Sequence, residues 1–89
     1  MSATDTRYLV LAMRRPGFDE SVVAPHHAFI ETLRERGLLE LTGGFSDRSG
    51  GAYLLRGLAS LDEAKAIVAR DPLVLQGMSD LTVHEWKTR

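Results

Sequence analysis

Arg7-Tyr8-Leu9-Val10-Leu11-Ala12-Met13 is the stretch that decides the fold. It is apolar after its first residue, and Pro16-Gly17 closes it off shortly downstream. Residues of a β-strand alternate between the two faces of a sheet. Tyr8, Val10 and Ala12 therefore share one face, and Leu9, Leu11 and Met13 the other. Neither set is polar, so the run reads as a strand covered on both sides.

Outward from this strand the pattern is regular. A polar connector, Arg14 to Glu20, leads to a helical segment over about Ser21 to Arg36. Pro25 fits its first turn, Arg34 and Arg36 suit its negative C-terminal end, and Gly37 is its stop. Leu38 to Thr42 reads as a second strand ending at Gly43-Gly44. Phe45 to Gly51 has turn chemistry, and Ala52 to Gly57 follows as a third strand, so the two form a hairpin. Ser60-Leu61-Asp62-Glu63 is a capping box that opens a second helix, with Leu61, Ala64, Ile67 and Val68 at helical spacing. Asp71-Pro72 is expected to end that helix, since proline disfavours helical backbone in the residue before it. A loop or turn of helix then leads through Gly77 to a last strand, Leu81 to Trp86.

The order is βαββαβ, an α+β ferredoxin-like sandwich with both helices on one face of the sheet. That leaves the second face unexplained. The third strand, like the first, is bulky on both sides, with Tyr53 and Leu55 opposite Leu54. A large open apolar face is ordinarily an interface. Sheet-to-sheet pairing with a second copy, a homodimer, is the expected cover. A monomer with loops folded over the sheet is the alternative.

Composition narrows the rest. The chain has 89 residues, room for one domain over residues 1–89. A chain of this size buries only roughly 60–65% of its unfolded surface and gains from disulfides, a metal or a partner. It has no cysteine, hence no disulfide and no thiolate zinc ligand. His26, His27 and His84 lack metal-ligand spacing. Oligomerisation remains. The formal net charge is −1 with both signs interspersed, so no nucleic-acid partner is expected. No apolar run approaches the roughly 20 residues of a membrane span, and Met1 to Arg7 lacks the apolar core of a signal peptide. The default expectation is a cytoplasmic protein. The glycines from Gly43 to Gly51 have no phosphate-loop spacing, so no nucleotide cofactor is expected.

Chemistry centres on one histidine. Successive helix residues are about 100° apart. His26 shares a side with Ile30 and Leu33 and sits in the stripe that faces the sheet, whereas His27 points with Glu31 and Arg34 to solvent. An imidazole against a sheet needs a hydrogen-bond partner. His26 is then either a satisfied core histidine or a general acid/base, a role for which imidazole is suited near neutrality. Asp71 is either a turn-former or the carboxylate that orients the imidazole. Ser46 and Ser49 could bring hydroxyls near a pocket, although turn formation alone accounts for them. Trp86 reads as a packing residue at a domain or subunit boundary.

The chain resembles the YCII-related, YciI-like proteins along nearly its whole length. The likeness rests on ordered elements: His26 with Ile30 and Leu33; Gly37-Leu38-Leu39 and Gly43; Gly51; Ser60, Glu63 and Ala64; Asp71-Pro72; Gly77; and Trp86. It departs at Gly44 and Glu85, where proline is frequent, and at Leu73, where an aromatic residue is usual. The resemblance implies a ferredoxin-like fold that dimerises into an α/β barrel. It also implies a histidine–aspartate dyad, here His26 and Asp71, in a family that includes a dehydrochlorinase acting on a chlorinated hydroxyquinone. Ser46 and Leu73 are the expected substrate-binding residues. Two functions follow. One is a cofactor-independent lyase or isomerase acting on a small cyclic or enolisable molecule. The other is a non-catalytic module that binds a small ligand or a partner.

Overall fold

The first strand behaves as its two faces require. In a computed structural model that describes residues 5–89, β1 spans Asp5–Arg14. The absence of a signal-peptide core was read partly from Met1–Thr4, which lie outside the described residues. Tyr8, Val10 and Ala12 are buried, while Leu9 and Leu11 are half-buried and Met13 is exposed. β1 is an inner strand of a four-stranded sheet ordered β2-β3-β1-β4. β2 is Leu39–Gly44, β3 Gly50–Leu55 and β4 Ser79–Thr88, and every pairing is antiparallel. Helices pack on the Tyr8 face only, which gives the ferredoxin-like βαββαβ sandwich.

Several boundaries shift from the sequence reading, β1 among them at both ends, and three of the shifts have a clear physical reason. β4 is longer than Leu81 to Trp86 because it pairs with β1 from Asp5↔Thr88 to Arg14↔Ser79. As an edge strand it accommodates Asp80, Glu85 and Lys87. Gly50 and Gly51 belong to β3 rather than to the turn. A Cβ on Gly50 would lie 2.0 Å from the Ala12 carbonyl oxygen, and one on Gly51 2.4 Å from that of Gly43. These glycines allow strands to approach closely. Finally, Asp71-Pro72 begins a helix instead of ending one. α2, Leu61–Val68, stops a turn earlier. Asp71, with extended backbone, then caps the short α3, Pro72–Leu75, with proline at its start.

The remaining elements follow the expected signals. A 3₁₀ turn at Glu20–Val22, capped by Asp19, precedes α1, Val23–Glu35. Pro25 lies in the first turn, where no helical N–H bond is lost. Gly37 takes a φ of 74°, the left-handed cap that ends the helix. The Ser60 hydroxyl accepts from the Glu63 amide at 3.1 Å. The core joins Tyr8, Val10, Ile30, Leu33, Leu39, Tyr53, Leu55, Ala64 and Val68. Ala12, Val22 and Leu73 form a smaller cluster beside it. On the opposite face Leu9, Leu11, Met13 and Leu54 lie open with Leu41, 68% exposed, and Trp86, 48% exposed. Among the described residues, no helix is long and apolar enough to cross a membrane.

Candidate active site

Three elements converge on the Asp71 carboxylate. The residue before a proline is held extended, and Asp71 has φ −63° and ψ 129°. Its Oδ1 accepts from the Leu73 amide at 2.9 Å, which turns the carboxylate inward. Asp71 is 0% exposed. From α1, Nδ1 of His26 lies 2.9 Å from Oδ1 and 3.1 Å from Oδ2. From β3, the Tyr53 hydroxyl donates to Oδ2 at 3.0 Å. A carboxylate is an acceptor only, so Nδ1 of His26 carries the proton. The buried charge is thereby matched by three donors.

That arrangement leaves the other ring nitrogen available. Every buried side-chain nitrogen and oxygen among the described residues has a hydrogen-bond partner. Nε2 of His26 has none among those residues, so it is not buried, and the ring lines a cavity of about 410 Å³. The cavity lies between α1 and the sheet. Gly43, Gly44, Gly50 and Gly51 form one wall, with Ala12, Arg14, Phe18, Tyr53 and Leu73 around it. Burial pushes the Tyr53 hydroxyl far above the usual tyrosine range, and the neighbouring Asp71 charge adds to the effect. Tyr53 is therefore a fixed donor.

The sequence-derived residues distribute unevenly. His26 and Asp71 meet at 2.9 Å, the pairing that the resemblance implies, on the sheet-facing side where the helical phase puts His26. His27 is exposed, yet it reaches the cavity rim with Glu31 and Arg34. Leu73 is buried and lines the cavity. Ser46 does not: it sits exposed in the turn between β2 and β3, away from the lining residues. Ser49 spends its hydroxyl on Asp47, at 2.6 Å. Trp86 is exposed on the open face of the sheet. Tyr53 went unassigned, although a signal existed: a tyrosine on the helix-facing side of a strand must find a partner for its hydroxyl.

The element order and sheet topology are those of a ferredoxin-like α+β domain. The chain belongs to the YCII-related domain family, whose model matches residues 6–87. It is 44% identical over 82 residues to the uncharacterized protein YjpA of Bacillus subtilis (strain 168), an alignment covering 92% of this chain and 95% of that protein. Among solved structures it is similar to 5-chloro-2-hydroxyhydroquinone dehydrochlorinase (TftG) from Burkholderia phenoliruptrix AC1100, in complex with 2,5-dihydroxybenzoquinone. The TM-score is 0.69 at 22% identity, covering 91% of this chain and 93% of that one. At that identity the likeness is one of fold.

Proposed function

We propose that this single YCII-related domain is a cofactor-independent enzyme of lyase or isomerase type, in which the His26–Asp71 pair moves a proton on a small cyclic or enolisable substrate. One observation carries this: Nδ1 of His26 is held by a buried carboxylate while Nε2 is left open to a cavity. Nε2 takes a proton from an acidic C–H or O–H of the bound molecule. In an elimination the electron pair released forms a double bond to the adjacent atom as a leaving group departs from that atom with its bonding pair, and the imidazolium then returns its proton to solvent. In an isomerisation the pair forms a double bond towards a conjugated carbonyl whose π electrons move onto its oxygen, and the resulting enolate takes the proton back from Nε2 at another carbon. The imidazolium formed midway faces Asp71, whose charge stabilises it and fixes the ring. Tyr53 and the Leu73 amide hold the carboxylate. Leu73 supplies an apolar wall for the substrate. Ser46, off the cavity, has no part in this scheme. The dehydrochlorinase of similar fold performs an elimination on a ring of this kind, which supports the reading.

In the same proposal the chain works as a homodimer joined through the open sheet face. That face carries half-buried Leu9, Leu11 and Leu54 with exposed Leu41 and Trp86, apolar side chains that a second copy would cover.

The test is deuterium incorporation into 2,5-dihydroxybenzoquinone and related enolisable rings in heavy water, followed by NMR. The wild type should accelerate exchange at a ring C–H, and His26→Asn should abolish the acceleration while still binding the ring. If the wild type binds such rings but never accelerates exchange, the non-catalytic ligand-binding module replaces the enzyme.

A further inference from the structure

The inward row of β1 runs Tyr8, Val10, Ala12 and then Arg14. The first three are buried. Arg14 follows the same parity, and its side chain is only 29% exposed. It lines the cavity beside Ala12 and its cross-strand partner Ser79. A guanidinium drawn in from water needs acceptors for its five N–H groups. Its surroundings do not provide them. The Phe18 ring lies 4.1 Å from the guanidinium carbon, a contact that fixes the plane and uses no N–H. Glu20 approaches to 3.6 Å, beyond hydrogen-bond distance, and gives the same oxygen to Arg48 at 3.0 Å. Glu20 is also absent from the cavity wall. Among the described residues, no Arg14 side-chain N–H makes a hydrogen bond.

The other guanidinium at the cavity, that of Arg34, donates to Glu31 at 3.1 Å. Arg14 has only the 3.6 Å approach to a Glu20 oxygen that it shares with Arg48, so among the described residues it is the cavity arginine without a side-chain hydrogen bond. Beside Arg14 in the same sheet, Gly43, Gly44, Gly50 and Gly51 line the cavity with backbone and no side chains, which suits a flat ligand.

We propose that Arg14 is the anion-binding residue of this cavity and that its ligand is a small planar organic acid. Two oxygens of a carboxylate or an ionised enol would lie in the guanidinium fork, a geometry that planar N–H donors match. This deepens, and rests on, the assignment of the cavity as the substrate site of the His26 pair. It also gives the charge a purpose. A cation at the oxygen end stabilises the negative charge that develops when Nε2 removes a neighbouring proton.

Benzoate and benzamide share shape and differ in charge, so they isolate the anion. Each is titrated into labelled protein while the His26 ring and backbone amides are followed by NMR, for the wild type, Arg14→Gln and Arg14→Lys. The backbone of Arg14 is tied to the Ser49 carbonyl at 2.9 Å whatever the side chain, so both variants keep the strand end. Benzoate should bind the wild type about tenfold to a hundredfold more tightly than benzamide, the range of a charge-assisted hydrogen bond. Arg14→Gln should erase that preference, and Arg14→Lys should keep part of it. Equal benzoate affinity in wild type and Arg14→Gln overturns the assignment of Arg14 and leaves the His26 pair standing. Failure of benzoate to move the His26 ring in the wild type also overturns it. The pair itself is judged separately. In the wild type the ring-nitrogen shifts of neutral His26 should show the proton on Nδ1, facing Asp71. A proton on Nε2 instead refutes the pair whatever benzoate does.

Discussion

Tyr53→Phe removes one oxygen and little else, which makes it the sharpest probe of the buried cluster. The Tyr53 hydroxyl lies 3.0 Å from Oδ2 of Asp71, and both residues are buried. A hydrogen bond to a charged group contributes about 1.5–3 kcal/mol. Without it, Oδ2 retains only the longer contact from His26, at 3.1 Å. Water cannot readily replace the lost donor at a fully buried carboxylate, so the cost should fall near 2 kcal/mol. In Asp71→Asn an amide nitrogen, a donor only, stands in place of Oδ2 and cannot accept from the Tyr53 hydroxyl, so that bond is lost. Oδ1 keeps the Leu73 amide as a neutral bond weaker by about 1 kcal/mol, and the loss is partly offset because a buried charge disappears. The Tyr53 bond is lost once in either variant. The double variant should therefore be less damaged than the sum of the two, by about 1–2 kcal/mol. Urea unfolding at fixed protein concentration measures all four proteins, with unchanged m-values as the check on a two-state comparison. A chain of this length is stabilised by about 4–13 kcal/mol, so losses of this size are readily seen. Strict additivity, within about 0.5 kcal/mol, would refute the bond between the hydroxyl and the carboxylate.

Alkaline stability follows from the same tyrosine. Its folded-state pKa lies above the unfolded value, so its contribution is complete below about pH 10 and is lost as pH rises beyond it. The unfolding free energy should fall above that pH by about 1.4 kcal/mol per unit from this group, and Tyr53→Phe should flatten that part of the slope. Light scattering at micromolar concentration should give twice the chain mass. Leu54→Lys, which puts a charge at the middle of the open sheet face, should give a folded monomer; a wild-type monomer that persists on concentration rules out the paired sheet.

Features set by local chemistry were legible in the sequence. The two-faced first strand, the Ser60 cap, the Gly37 stop and the phase that turns His26 inward and His27 outward all depend on neighbours within a turn or two. Features set by distant partners were not. The length of β4 is decided by β1, which hydrogen-bonds to it from end to end. Gly50 and Gly51 look like turn residues until their closeness to Ala12 and Gly43 is known. Strand parity shows that Tyr53 faces the helices, but which helical atom receives its hydroxyl depends on packing 18 residues away along the chain. Arg14 was within reach. Extending the β1 alternation by one residue past Met13 places a cation on the buried face, and the adjacent Pro16-Gly17 made the strand seem to end too soon.

The position of Asp71 still asks why a charge is there. Capping α3 requires only an acceptor for the Leu73 amide, and asparagine or serine caps a helix about as well as aspartate. Receiving the Tyr53 hydroxyl likewise needs no charge. A fully buried carboxylate carries a desolvation cost of several kcal/mol that a neutral residue would avoid. Stability and capping therefore account for an oxygen at this place but not for its ionisation. What an anion alone provides is a counter-charge for His26 at the moment its ring becomes an imidazolium. The ring is held at Nδ1 and bare at Nε2 among the described residues, and it lines the cavity that Arg14 also lines. A carboxylate at Asp71 is thus what the proposed proton transfer at His26 would use, as the counter-charge of the imidazolium formed midway.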